Sequence, residues 1–409
     1  MYPLLLSMAA VMIGYGITLP VLALSVEELI QLRQSNVLSA GHYVGIITGL
    51  FPFMQLVFAP IWGKLSDQYN RKYIYIIGIL GYGLSLVLFG MSRSLVMFFL
   101  ARSIGGIFSA AVFATAAATV AELTSPQRRH RGMALLGSAS GIGVLLGPAI
   151  GAFLYQVKPP FQIFADHVIV SNFTTPFLAA ALITFLAAII ATLTPLTKKT
   201  HNNVGESKHK AYIGISANSS EGILARKSPI LPFLILAGIV QFALAAFEGT
   251  FVLHASWYQK FTTWQIGLVF IICGAVMTGM QAFFVSRLAE RFGQKPVMII
   301  GLLFMGLGLV LLMFNFATVT LLGFVALFAL GVSLSIPGVY TVISHRSSAD
   351  SIGRDMGWMN AAVSLGQAAG PVFGGWLVDV QIHLPYLLIA SLLFVVASWL
   401  YLSRNKLSM

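Results

Sequence analysis

Charge is what this chain has least of. Only 9% of its 409 residues are charged, against 58% hydrophobic, which leaves too little polar surface for a water-soluble globule of this size. Acid is scarcer still, with 12 Asp and Glu against 24 Lys and Arg. There is one cysteine, Cys273, inside an apolar run. It excludes an internal disulfide and leaves the redox compartment undecided. No nucleophile with a base partner, no metal-ligand cluster and no phosphate-binding loop appears at suitable spacing, which argues against an enzyme and against a metal or other cofactor. The opening Met1-Tyr-Pro-Leu-Leu-Leu carries no basic leader or cleavage pattern and is read as the start of a first span.

What is present is a series of apolar runs of roughly 20 residues, the length that crosses a bilayer as helix. Twelve are expected, near 3–25, 41–62, 73–91, 95–121, 132–155, 175–194, 231–256, 265–285, 296–314, 318–343, 355–379 and 385–403. They fall six and six, and the two sixes match. Gly147-Pro148 of Gly143-Val-Leu-Leu-Gly-Pro-Ala-Ile-Gly151 recurs 223 positions later as Gly370-Pro371 of Gly366-Gln-Ala-Ala-Gly-Pro-Val-Phe-Gly374. The same offset carries Arg131 onto Arg354, Met133 onto Met356 and Leu154 onto Leu377, and it carries Leu65, Asp67 and Lys72 onto Leu288, Glu290 and Lys295. One register held across several loops and helices marks an internal repeat. An even number of spans per repeat makes the halves parallel, related by a pseudo-twofold axis along the membrane normal. The fold expected is an all-α integral membrane protein of two six-helix bundles, 1–194 and 231–409, joined by a polar linker over 195–230.

The basic excess has a pattern. With both termini inside, the inner loops and tail hold 19 of the 24 Lys and Arg; the outer side keeps Arg33, Arg93, Lys158 and Lys260, and Arg102 is left within the fourth span. This asymmetry follows the positive-inside rule and places both termini in the cytoplasm of a cell membrane. It also accounts for the formal charge of +12 without a nucleic-acid partner. The linker, rich in Asn, Ser and Gly, reads as a tether. A regulatory role for it is conceivable, though no residue in it favours one.

Several motifs resemble those of the major facilitator superfamily, and within it the twelve-span drug:proton antiporters. Gly63-Lys-Leu-Ser-Asp-Gln-Tyr-Asn-Arg-Lys72 is similar to the family's loop between spans two and three, with Gly63, Leu65, Asp67, Arg71 and Lys72 at matching positions. Asn70 stands where the family usually has glycine and Gln68 where it often has arginine. Asn tolerates a left-handed turn, so such a turn is expected at Asn70. A carboxylate beside two cations at a helix junction can pair differently in two states of a gate, or it can be a static surface pair. The gating reading takes in Glu290 and Lys295 of the second repeat. The second motif, Gly143, Gly147, Pro148 and Gly151 in span five, resembles the antiporter signature, with Ala152 in place of a second glycine. Glycines four apart bare a helix face for close packing and proline lets the helix bend; the resemblance implies a barrier against leak. The Gly14-to-Pro20 segment is similar to the family's first-span motif, with Ala23 replacing a proline.

Ionisable groups deep in the bilayer cost at least about 2.5–3.5 kcal/mol each and are the better guide to chemistry. Glu248 is the acidic residue well inside a span, seven positions after Gln241, so the two share a helix face. A carboxyl withdrawn from water favours its protonated form until the surroundings change. Glu248 resembles the acidic residue through which some bacterial multidrug antiporters take up protons; the alternative is a protonated structural Glu. Arg102, in Leu100-Ala-Arg-Ser-Ile-Gly-Gly106, resembles the family's span-four motif. It stays charged, so it sets the field felt by Glu248, contacts substrate or clamps two helices. Gln55, Phe113, Gln241, Phe247, Phe251, Asn360 and Gln367 are candidates for substrate contact, with interhelical hydrogen bonding the even alternative for the amides. Near the outer end of span seven, His254 is expected as an ordinary interfacial histidine.

The resemblance implies a proton-coupled antiporter, working as a monomer, that exports amphipathic, aromatic or cationic small molecules by alternating access. A dedicated exporter of a sugar, siderophore or other metabolite fits the same fold. A transport-dead sensor or scaffold is the third alternative.

Overall fold

The computed structural model describes residues 2–32, 40–124, 129–157, 173–193, 230–314, 317–347 and 352–403. Most of the expected linker, 194–229, lies outside them. The described residues are helical throughout, with no strand: α1 Tyr2–Leu32, α2 Ala40–Gln68, α3 Arg71–Gly90, α4 Leu95–Leu123, α5 Arg129–Gln156, α6 Thr174–Thr192, α7 Leu231–Trp257, α8 Thr263–Phe283, α9 Val285–Phe292, α10 Gln294–Leu312, α11 Thr318–Arg346, α12 Ile352–Val380 and α13 Leu384–Leu402. Twelve of these are long and apolar enough to cross a membrane; α9 is the exception.

The internal repeat is carried into the helices. Moved by 223 positions, α4 falls on α11 and the start of α5 falls on the start of α12. In the same way α2 maps onto α8 together with α9, so the eighth span ends at Phe283 and its charged continuation forms a separate short helix. Within the first six helices α1 packs on α5 and α6, and α3 and α2 pack on α4; within the rest α7 packs on α12 and α10 on α11 and α13. The glycine motif makes the first of these contacts in each half. Gly143, Gly147 and Gly151 lie against the backbone of α1 between Ala9 and Ile17, and Gly366 and Gly370 lie against the backbone of α7 between Gly238 and Ala246. Pro148 and Pro371 sit inside α5 and α12 without ending them.

Two seams join the halves, α2 against α12 and α5 against α8. Both are tight at one end. A methyl added at Gly41, Gly45 or Gly49 would run into the backbone of Gly375, Pro371 or Ala368, and one at Gly267 or Gly274 would meet Ala152 or Leu145. Toward the other end both seams part. Gly141 continues the α5 face of Leu145, Pro148 and Ala152, and Gly357 continues the α12 face of Ala368, yet a methyl at either would touch nothing within 4 Å. The halves therefore form a V.

Candidate functional site

The closed end is held by carboxylates that accept hydrogen bonds from the opposite half. Asp379, at the end of α12, accepts the backbone N–H groups of Gly41 and His42 at 2.9 Å each and also meets the His42 ring. It thereby caps the N-terminus of α2, where orphan N–H groups and the helix dipole favour an anion. Glu27 of α1 accepts the Trp257 indole N–H of α7 at 2.7 Å; within its own half, Glu28 accepts the Tyr155 hydroxyl of α5 at 3.1 Å. None of these carboxylates was a site candidate from the sequence, because they sit where the apolar runs fade. His254, expected at the interface, is fully buried. Its Nε2 lies 3.3 Å from His383 Nδ1, and its ring packs on Tyr386 at 4.7 Å.

Midway along the bundle, Glu248 on α7 is partly buried and makes no hydrogen bond or ion pair with the described residues. Its neighbours include interior groups: Tyr15 of α1 and Cys273 of α8 both lie within reach of its charge. In the other half Arg102 is 2% exposed. Its Nε donates to the Ile47 carbonyl at 3.2 Å and its guanidinium lies 4.6 Å from the centroid of Phe51, both on α2. These contacts clamp α4 to α2. The charge of Arg102 reaches Tyr15 and Tyr82, and no direct pairing joins it to Glu248. Tyr15, absent from the sequence-derived candidates, stands between them; a tyrosine within an apolar run carries no signal of which way it faces.

The other candidates divide. Gln367 of α12 is partly buried, on the helix that packs against α7. Gln241 is partly buried on the helix of Glu248. Gln55 donates to the Ser109 hydroxyl at 3.0 Å, an interhelical bond from α2 to α4. Phe247 and Phe251 are buried at 1% and 2% exposure and pack on each other at 5.0 Å, with Phe328 4.7 Å from Phe247. In this state they are core rather than lining. Phe113 and Asn360 are exposed.

The turn after α2 is built differently from expectation. Asn70 has φ −64° and ψ 117° and caps α3, its side chain accepting the Lys72 N–H at 3.0 Å. No left-handed residue is needed, because an N-cap asparagine satisfies a free helix N–H from extended backbone. The positive φ is found at the equivalent place in the second repeat, Gly293, at 84°. Asp67 accepts from Arg71 at 3.0 Å, and the Lys72 ammonium donates to the Thr192 carbonyl at the end of α6. Gly63 lies a turn before Asp67 on α2, its carbonyl accepting from Ser66. Glu290 lines a cavity of about 250 Å³ with Gln281, Ser286, Gln294 and Thr341, while Lys295 begins α10 with its ammonium buried. Among the described residues no group of three or more metal-ligating side chains is gathered.

A sequence model described as Major Facilitator Superfamily matches residues 4–284 and 261–408. The chain is 27% identical over 363 residues to the tetracycline resistance protein, class G, of Vibrio anguillarum, covering 88% of this chain and 85% of that protein. It is also 27% identical over 386 residues to multidrug resistance protein 1 of Bacillus subtilis (strain 168), covering 94% and 90%. Among solved structures, the nucleoside transporter NupG aligns with TM-score 0.75 at 13% identity over 99% of this chain and 98% of that one. The human organic anion transporter MFSD10 aligns at 0.66 and 20% identity over 98% of each. At these identities the likeness to the two structures is one of fold.

Proposed function

Given that this chain belongs to the major facilitator superfamily, we propose that it is a proton-coupled antiporter exporting amphipathic, aromatic or cationic small molecules across a cell membrane. It is a multi-pass membrane protein of a transporter family and not an enzyme. The resistance proteins it resembles favour export of drug-like cargo over uptake of a nutrient.

Glu248 carries the reading. It is a carboxyl held mid-span at the gap between two halves, with no protein partner among the described residues. Such a group binds a proton where the site faces one side and yields it where a cation arrives or water enters from the other. Two six-helix halves that rock about their tight seams supply the alternation. With Lys and Arg inside, the open end of the V is cytoplasmic and the end closed by Asp379 and Glu27 is external. Asp67, Arg71 and Lys72 then lie at the open inner end, where they are placed to close against the other half, and Glu290 and Lys295 hold the matching place in it. The glycine face of Gly143, Gly147 and Gly151 keeps each half rigid as it moves.

Adding the cationic dye ethidium to purified protein in weakly buffered detergent solution at neutral pH tests the exchange directly. The wild type is expected to release protons as dye binds, and Glu248→Gln to bind dye without release. Equal release from both would move the proton site elsewhere.

A further inference from the structure

At its closed end the seam of α2 and α12 carries a contact that the other seam lacks. Asp379 of α12 accepts the Gly41 N–H on Oδ1 and the His42 N–H on Oδ2, at 2.9 Å each, and Oδ2 also meets Nδ1 of the His42 ring. The carboxylate side chain is 6% exposed and the imidazole 45%, so the ring is within reach of water while its partner is covered. The other seam is built from neutral groups. Moved back by 223 positions, Asp379 falls on Gln156, and the N-terminus of α8 is capped from within its own half by Thr262 and Gln265. Opening α2 from α12 therefore strips α2 of the Asp379 cap and parts an acid from an imidazole. Opening α5 from α8 does neither. On the elements packed against α12, the other titratable groups at this end are Tyr43 of α2, His254, Tyr258 and Lys260 at the end of α7, and His383 and Tyr386 at the start of α13; α11 brings none among the described residues. His254 and His383 are engaged with each other, Nε2 to Nδ1 at 3.3 Å, with Tyr258 and Tyr386 packed on them.

We propose that His42 and Asp379 form a second proton site, at the external mouth and apart from Glu248, and that a proton bound there holds the external end shut. Its place on the external face rests on the orientation argued above; its response to acid does not. Imidazole is the side chain whose ordinary titration changes its charge between about pH 5 and 8. While the end is closed the ring lies on a carboxylate, so a proton taken from water onto its free nitrogen turns a neutral hydrogen bond into a charge-assisted one, the stronger kind. Once the halves part, the ring loses that partner. The closed state thus binds the proton more tightly, and by linkage a fall in pH shifts the balance toward closure and a rise in pH toward release. In an exchange cycle this is the productive direction. After cargo has left, an acidic exterior closes that end and commits the protein to opening inward.

Spin labels on α2 and α12 at this end, followed in purified protein between about pH 5 and 8, read the closed fraction. Glu248→Gln serves as the background, so that the mid-span carboxyl contributes nothing to the response. On acidification the short distance is expected to gain on the long one by about twofold to fivefold, the scale of an exposed ion pair. His42→Gln should lose that gain and keep the short distance through the two backbone hydrogen bonds, while Asp379→Asn should favour the long distance at every pH. A gain retained by His42→Gln would assign the response to His254 and His383 and overturn the proposal. Distances indifferent to pH in the Glu248→Gln background would overturn it as well. Failure of the antiport reading would show separately, as equal ethidium accumulation by wild type and Glu248→Gln in proteoliposomes, with the distances still responding to pH through His42.

Discussion

Among the described residues Arg102 has no carboxylate partner: a backbone carbonyl and a phenyl face hold it. That arrangement depends on a flat guanidinium, which can donate in its own plane while stacking on a ring. Arg102→Lys should therefore lower stability by about 0.5–2 kcal/mol, the range of a buried cation–π contact, and this is measurable as a drop in thermal melting of the purified protein. A melting curve unchanged by the substitution would mean the clamp to α2 contributes nothing. Asp67 is the opposite case. Its side chain is 46% exposed and pairs with Arg71 across the turn between α2 and α3, an exposed pair worth about 0–1 kcal/mol. Asp67→Asn is thus expected to leave folding and membrane insertion intact while transport collapses; normal turnover would reduce the pair to surface decoration. Glu248 and Arg102 were legible in the sequence because a lone charge in an apolar run is conspicuous. Tyr15 was not, since one tyrosine among 13 becomes informative only when its neighbours are known. Asn70 was misread for a related reason: asparagine suits both a left-handed turn and an N-cap, and only the backbone decides.

Among the elements, the proposed cycle assigns the motion to α2, α5, α8 and α12, and their glycines make opposite predictions at the two ends. A side chain at Gly45 would drive into the Pro371 carbonyl, and overpacking of this kind costs about 1–3 kcal/mol. Gly45→Val should thus disfavour the state described here and spread the end held by Asp379. Gly141 faces open space. Gly141→Val should be tolerated in this state and obstruct closure of the opposite end. Spin-label distances across α2 and α12 at the Asp379 end would lengthen in the first variant and stay short in the second; the same shift in both would break the link between these seams and the cycle. Most elements were legible. Long apolar runs set α3, α10 and α13 to within a few residues, and the repeat offset ties α11 to α4. The end of α1 was not, because Glu27 and Glu28 lower the hydropathy where the helix in fact continues to Leu32. Nor was α9, whose charges left it looking like loop.

At the scale of the whole molecule, a duplicated chain has produced two similar bundles that touch closely at one end and part at the other. The chemistry sits between them. Under the antiport proposal, that placement lets one small change, a proton on Glu248, bias a large one, because packed interfaces shift between discrete arrangements rather than bending continuously. It requires that proton and cargo exclude one another at the site, or the gradient would drain without work. Uphill accumulation of ethidium in proteoliposomes under an imposed proton gradient, wild type beside Glu248→Gln, tests this most directly. The account predicts accumulation by the wild type that collapses with the gradient and is absent from the variant. Accumulation by Glu248→Gln equal to wild type would contradict it.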